Sequence, residues 1–168
     1  MTHVRGNDPW LSALRDSALD VITTSLGFAD GDISAMFGVA PHDVAGSYMP
    51  LVSPKLSLYV GWTAGERERA ALAKAFLSMG EDETLLEADV EDALGELVNI
   101  LGGGVKRRML AHVPQLAVGL PFFAGGRMRL LGGVDGLAAR VRCGPTESHI
   151  VFYAANAGVN HGAGSVAK

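Results

Sequence analysis

The sequence predicts an α/β (α+β) domain in which an antiparallel sheet is covered by long helices. Three segments carry apolar residues at helical spacing, at about residues 9–27, 64–79 and 87–112. Several shorter segments alternate apolar and polar residues between turn-forming residues, which is typical of strands. Glycine accounts for 22 of the 168 residues, which indicates many tight turns.

Length and composition limit the class of protein. A chain of 168 residues is long enough to bury the core of one domain. The sequence has no long apolar run and no apolar signal region at its start, so neither a membrane span nor a secretory leader is expected. Its single cysteine, Cys143, excludes an internal disulfide and suits a reducing cytoplasm. With a formal net charge of -4, no nucleic-acid partner is expected.

The first two helices have recognisable starts. Asp8 and Pro9 supply an N-cap and a first helical residue, and Gly27 is placed to end the first helix. Thr63 is the expected N-cap of the second helix, with Glu66 as the matching capping-box acid. Residues 28–45 are predicted to form a long connection, with a short helical turn near residues 33–37.

Six segments are predicted to form strands. The first, Ser47–Ser53, is irregular or at an edge because of Pro50, and the second, Lys55–Trp62, alternates regularly. The other four lie after the third helix, at about residues 116–123, 128–133, 138–143 and 149–154. Arginines alternate with apolar residues there and indicate a basic outer face, either solvated or used for docking: Arg127, Arg129, Arg140 and Arg142. Residues 156–168 have no periodicity and are expected to form a flexible tail.

The third helix has two opposed faces. At about 100° per residue, one side is apolar and is predicted to face the core. The opposite side holds a narrow polar stripe of two carboxylates, one amide and a glycine: Asp92, Glu96, Asn99 and Gly103. The apolar side consists of Val90, Leu94, Leu97, Val98, Leu101 and Val105.

Three successive glycines at residues 102–104 lie within the same pattern. Each costs about 0.5–1 kcal/mol relative to alanine in a helix interior, which indicates that another backbone approaches closely there. Val105 and Met109 continue the apolar spacing, so the helix is predicted to run on and to end before Pro114. The alternative is a helix end at the first glycine, which Arg108 favours because it falls on the apolar side.

The stripe lacks the usual sets of catalytic groups. No Ser or Cys lies beside a His on this helix, and the histidines are scattered, so neither a nucleophile–base pair nor a metal cluster is indicated. The glycine run lacks the Gly-Lys-Ser/Thr ending of a P-loop. An amide can, however, orient a water by accepting and donating hydrogen bonds. Phosphoryl transfer depends mostly on such positioning and on charge stabilisation.

These polar residues and their offsets resemble the signature of a known family. Asp92-x3-Glu96-x2-Asn99, followed by a glycine-rich helical turn and a Lys, is similar to the motif of the CheC/CheX/FliY chemotaxis phosphatases. Pro121 fits the later part of that motif. The resemblance covers about residues 88–125 and is closest to the CheX-like branch. One departure is Gly104, where CheX-like sequences often have Asn.

The resemblance implies a fold, an activity and a site. A CheX-like phosphatase domain with pseudo-twofold halves would span residues 1–155 and act on a phosphorylated CheY-like response regulator. Glu96 and Asn99 would be catalytic: Asn99 would insert into the receiver and orient the attacking water, and Glu96 would pair with a receiver Lys. Asp92 and Gly103 would bind the partner. The receiver would hold Mg2+, so no cofactor or metal is expected on this chain, and a homodimer formed through the sheet is expected.

The first helix carries a faint copy of the same spacing. Asp16, Asp20, Thr23 and Gly27 have the mutual offsets of the stripe, which would suit a fold with pseudo-twofold halves. Thr23 stands where the amide is needed, so this copy is expected to be degenerate.

Two alternatives to catalysis stay open. The domain could be a non-catalytic receiver-binding module or a flagellar or chemotaxis scaffold. It could also bind a small molecule or nucleotide at the glycine-rich turn. Phosphate release from a phosphorylated receiver distinguishes an enzyme from the first alternative, and a nucleotide-dependent melting shift tests the second.

Overall fold

The computed structural model describes residues 9–29, 32–33, 45–126 and 134–155. It contains helix α1 at Pro9–Asp20, which continues into a π-helical turn at Val21–Ser25, helix α2 at Glu66–Phe76 and helix α3 at Glu87–Met109. Among the helices described, none is both long and apolar enough to cross a membrane. The described strands are β1 Asp32–Ile33, β2 Gly46–Ser53, β3 Leu56–Thr63, β4 Ala117–Val118, β5 Phe122–Ala124, β6 Val134–Cys143 and β7 Thr146–Ala155.

These strands form one antiparallel sheet, as predicted. Its order is β1-β6-β7-β3-β2-β4, and β5 also pairs with β2. Two hairpins form the centre, β2–β3 and β6–β7, and they meet where β3 pairs with β7. Since α1 precedes the first hairpin and α3 precedes the second, the chain has two helix-plus-hairpin halves. This arrangement agrees with the predicted pseudo-twofold halves.

The helices cover one face of the sheet. Alternation along β2 places Met49 and Leu51 in the helix-facing core, whereas Tyr48 lies in a second cluster on the outer face. Burying one leucine side chain contributes about 1.5–3 kcal/mol, so the apolar stripe of α3 holds this helix firmly against the sheet. The prediction of a buried stripe is confirmed for Leu94, Leu97, Val98, Leu101 and Val105.

α3 continues through its three glycines, as predicted. A Cβ at Gly102 would lie 2.8 Å from Met49 Cγ, and one at Gly104 would lie 3.0 Å from Ser17 Cβ. These two glycines therefore let β2 and α1 pack closely against α3. The groups that approach them are side chains, not the backbone expected from the sequence.

Arg108 lies on the apolar side of α3 without interrupting the helix. Its guanidinium donates to Ser17 Oγ at 3.1 Å and forms an ion pair with Asp20 at 2.6 Å. It also lies 3.5 Å from the carbonyl oxygen of Gly104. The sequence pattern at Arg108 favoured a helix end, but in the structure this charged side chain joins α3 to α1.

α2 begins later than the sequence predicted. Thr63 is not an N-cap, because it is the last residue of β3 and pairs with Gly46. The helix begins at Glu66 and ends at Phe76, within the predicted range 64–79. The local capping pattern was wrong because Thr63 is held in the sheet by strand pairing.

The strands after α3 also differ from the predicted segments. Residues 116–123 contain parts of two short strands, β4 and β5, separated around Pro121, which cannot donate to a strand ladder. The segments 138–143 and 149–154 lie within the longer strands β6 and β7, which form a hairpin. Ile33 lies in β1 and not in the expected helical turn. Other predictions concern residues outside the described part of the chain: the Asp8 cap, the rest of the turn at residues 34–37, Arg127 and Arg129, the strand at residues 128–133 and the tail at residues 156–168.

The described part of the predicted basic face lies on β6. Arg140 and Arg142 are two residues apart and both are exposed. Arg140 Nε lies 3.3 Å from Glu147 Oε1 of β7, so this part of the face carries both signs of charge.

The outer face of the sheet also carries an aromatic patch, formed by Tyr48, Tyr59, Phe122 and Tyr153. The ring centroids of Tyr48 and Phe122 are 5.7 Å apart, and the Tyr48–Tyr153 and Tyr59–Phe122 pairs are each 6.2 Å apart. Tyr48 and Tyr153 are buried, but Tyr59 and Phe122 are 38% and 45% exposed. The aromatic patch therefore presents two large rings to solvent on the face opposite the helices.

A buried hydrogen bond between β3 and β7 gives a test of the core. Trp62 Nε1 donates to Ser148 Oγ at 2.9 Å, and both side chains are buried. Ser148→Ala leaves the indole N–H without this partner, so we expect the free energy of unfolding to fall by about 1–3 kcal/mol. Urea unfolding followed by circular dichroism measures the loss. Ser57→Ala, at an exposed strand position, is the control and should stay within about 0.5 kcal/mol; equal effects would contradict the role of the bond.

Candidate functional site

α3 presents the predicted polar stripe to solvent. Asp92, Glu96 and Asn99 are exposed, and Gly103 is half-buried. At about 100° per residue, the four positions fall within about 60° of one another around the helix axis. The structure therefore brings all four predicted site residues together, on the side of α3 that faces away from the core.

Asn99 and Glu96 are neighbours within the stripe. Nδ2 of Asn99 lies 3.5 Å from Oε2 of Glu96, at the outer limit of a hydrogen bond. This contact turns the amide nitrogen toward the carboxylate. The amide oxygen is left to accept a hydrogen bond from a group outside the chain.

Several features hold the stripe in position. The buried apolar stripe fixes the rotation of α3, because turning the helix would expose its leucines to water. At the N-terminus, the N–H of Leu86 donates to Asp89 Oδ2 at 3.2 Å. Acidic residues in the first turn and basic residues in the last, including Lys106 and Arg107, complement the helix dipole. The site is thus built on a rigid element, which favours precise positioning.

The exposed side of α3 also contains two residues outside the predicted stripe. Ile100, next to Asn99, is 42% exposed, although isoleucine is usually buried. Gly95 lies four residues before Asn99, just as Gly103 lies four residues after it. The signal that could have identified Gly95 is this spacing of four, which places residues on one side of a helix.

The faint copy of the stripe on α1 does not reproduce the geometry of α3. Asp20 is engaged in its ion pair with Arg108, and Thr23 Oγ1 donates to the carbonyl oxygen of Leu19 at 2.9 Å. The π-helical turn at Val21–Ser25 widens the helix and shifts Thr23 around the axis relative to Asp20. These differences agree with the expectation that the copy is degenerate.

Cys143 does not add a nucleophile to the stripe. Cys143 is buried in the core, and burial raises the pKa of its thiol to about 11, so the thiol is protonated near neutral pH. Within the ranges that the structure describes, no group of three or more His, Cys, Asp and Glu side chains is arranged to hold a metal ion. The side chains of the stripe are an amide and carboxylates, which can bind and orient a reactant.

Comparison with protein families gives a match over the segment that contains the stripe. The family model described as chemotaxis phosphatase CheX matches residues 56–129, a segment that contains all four stripe residues. The match covers less than half of the chain and agrees with the resemblance to the CheC/CheX/FliY family that the sequence predicts. No curated protein sequence matches the chain.

Solved structures of CheC/CheX/FliY proteins share the fold. Chemotaxis protein CheX from Vibrio vulnificus has a TM-score of 0.69 at 17% identity, and the match covers 86% of this chain and 98% of that chain. The CheX-CheY-BeF3-Mg2+ complex from Borrelia burgdorferi gives a TM-score of 0.71 at 13% identity, covering 88% of this chain and 97% of the matched chain. FliY from Thermotoga maritima gives 0.61 at 12% identity, with coverage of 91% and 92%. The predicted fold is confirmed.

Truncating the stripe should leave the fold intact. Glu96 and Asn99 are exposed, so Glu96→Ala and Asn99→Ala should each change the free energy of unfolding by no more than about 0.5 kcal/mol. Leu97→Ala, on the buried side of the same helix, is the matched control and should lose about 2–5 kcal/mol. Urea unfolding measures all three variants. A loss at Asn99 comparable to that at Leu97 would mean that the amide has a structural role.

Proposed function

We propose that this protein is an aspartyl-phosphate phosphatase that acts on a phosphorylated CheY-like response regulator. The observation that carries the proposal is the exposed amide of Asn99 on a rigid helix, with its Nδ2 3.5 Å from Oε2 of Glu96. The match of residues 56–129 to the chemotaxis phosphatase CheX family model supports it, as does the CheX-CheY-BeF3-Mg2+ complex of a structural relative.

In the proposed reaction, α3 docks on the receiver and Asn99 reaches the aspartyl phosphate. The amide oxygen accepts a hydrogen bond from a water and directs the water oxygen at phosphorus. The bond from water oxygen to phosphorus forms, the bond from phosphorus to the aspartate oxygen breaks, and the water gives up a proton to the solvent. The products are a free aspartate carboxylate and inorganic phosphate. Phosphoryl transfer needs positioning more than covalent help from the protein, so one amide is a sufficient contribution.

The other stripe residues act in docking. Glu96 pairs with a lysine of the receiver site and sets the register of the two proteins. Asp92 adds a second negative charge one turn earlier, and Gly103 contributes a surface without a side chain. Exposed Ile100 supplies an apolar contact beside them. Mg2+ is bound by the receiver, and this chain contributes no cofactor of its own.

The proposal also covers the extent and setting of the domain. Residues 1–155 act as one CheX-like domain, which is supported by a core that draws on all three helices and on both hairpins. The protein works in the cytoplasm, and the free, buried Cys143 suits a reducing compartment.

Asn99→Ala removes the water-orienting amide and should lower the rate of receiver dephosphorylation by about 10²-fold or more, since a positioning group of this kind contributes a few kcal/mol to the barrier. Docking should persist, because the Glu96 contact remains.

Glu96→Ala should weaken both docking and turnover, because an interfacial charge pair is lost and its lysine is left unmatched. Phosphate release from phosphorylated receivers, with a parallel binding measurement, checks both variants.

Thr23→Ala is the control, because Thr23 lies at the corresponding position of the α1 copy and is exposed. It should keep the activity of the unaltered protein. Full activity of Asn99→Ala would remove the catalytic proposal. Binding without any phosphate release by the unaltered protein would favour the receiver-binding scaffold instead.

We also propose a homodimer that forms through the sheet. The aromatic patch exposes Tyr59 and Phe122 on the face opposite α3, and the edge strands β1 and β4 are each two residues long. Exposed aromatic rings on a sheet face that none of the described helices covers favour association. The stripes of both chains would remain accessible in such a dimer.

Sedimentation at micromolar concentration should therefore give the mass of two chains. Tyr59→Lys and Phe122→Lys, which place a charge in the aromatic patch, should shift the protein toward the monomer. Glu96→Lys, on the helix side, is the control for added positive charge and should leave the assembly unchanged. A monomer at micromolar concentration for the unaltered protein would contradict the dimer.

A further inference from the structure

Two glycines flank Asn99 on the exposed side of α3. Gly95 lies four residues before it and Gly103 four residues after it, so the three positions form one row along the helix. A Cβ built at either glycine meets no atom within 4 Å in the described part of the chain. Glycine is nevertheless less favourable than alanine in a helix interior.

The neighbouring glycines provide the comparison. A Cβ at Gly102 would approach Met49 Cγ to 2.8 Å, and one at Gly104 would approach Ser17 Cβ to 3.0 Å. Those two glycines are explained by packing within the chain. Gly95 and Gly103 have no such explanation among the described residues, although they lie in the same helix.

We infer that Gly95 and Gly103 are clearance positions, which keep α3 bare on both sides of Asn99 so that the walls of the receiver's phosphoryl site can close on the helix. This inference rests on the proposed function. Asparagine has a single methylene, so its amide projects only a short way above the helix surface. A methyl group one turn away on either side would hold the partner off and keep the amide from the phosphoryl group.

The borders of this glycine row fit the same docking geometry. Glu96 and Ile100 lie along one side of the row. Glu96 carries a carboxylate, and the apolar side chain of Ile100 is 42% exposed. A partner seated on the row would meet a charge and an apolar side chain along one edge, and bare backbone next to them. Gly95 and Gly103 are thus positioning residues: they set how closely Asn99 approaches, without themselves orienting the water.

The test uses substitutions whose effects on stability and on function have opposite signs. Gly95→Ala and Gly103→Ala should raise the melting temperature by about 1–4 °C, because alanine favours the helix. The same variants should lower kcat/KM for receiver dephosphorylation by about 10-fold, and Gly103→Leu by about 10²-fold, as expected when a reacting group is displaced by about 1 Å. Ala71→Leu, at an exposed position of α2, is the control for added bulk and should keep kcat/KM within about twofold.

Binding to a receiver loaded with BeF3 and Mg2+ gives a readout that does not require turnover. The three glycine variants should bind more weakly than the unaltered protein, while Asn99→Ala should bind nearly as well.

Undiminished binding and kcat/KM in all three glycine variants would overturn the clearance role and leave the proposed function standing. An unaltered protein that binds but releases no phosphate would remove the proposed catalysis, and weaker binding by the glycine variants would still support clearance. An unaltered protein that neither binds nor hydrolyses would overturn both.

Discussion

The burial of one side of α3 against the sheet is the constraint on which the rest of the structure depends. Leu94, Leu97, Val98 and Leu101 have almost no exposed surface, and each contributes a large part of its transfer free energy. Their positions fix the rotation of the helix about its axis. Once that rotation is set, Glu96 and Asn99 can only face solvent, so a packing requirement determines where the polar groups of the site lie.

Close packing around the same helix depends on two of its glycines. Gly102 and Gly104 face the interior and allow β2 and α1 to come close, and Arg108 joins α1 to α3 through Asp20 and Ser17. The ion pair is partly exposed and contributes little to stability on its own. Its larger effect is on α1, where it engages the carboxylate that would correspond to Glu96.

Much of the fold and of the candidate site could be predicted from local patterns. The helical spacing of α3 was enough to separate its buried leucines from Glu96 and Asn99, because periodicity directly reports which side faces a core. Thr63 was assigned wrongly because a capping motif is a local signal, and the pairing of Thr63 with Gly46 is a contact that no local pattern encodes. The spacing of four residues between Gly95 and Asn99 is visible in the sequence, but only the structure shows that a Cβ at Gly95 would meet no described atom within 4 Å.

The placement of the aromatic patch and of α3 on opposite faces of the sheet has a consequence for stoichiometry. A contact made through Tyr59 and Phe122 cannot mask the stripe, because the sheet and its core lie between them. Two chains joined through that face would present two stripes that point away from each other, so the pair would offer two separate sites and not one shared site.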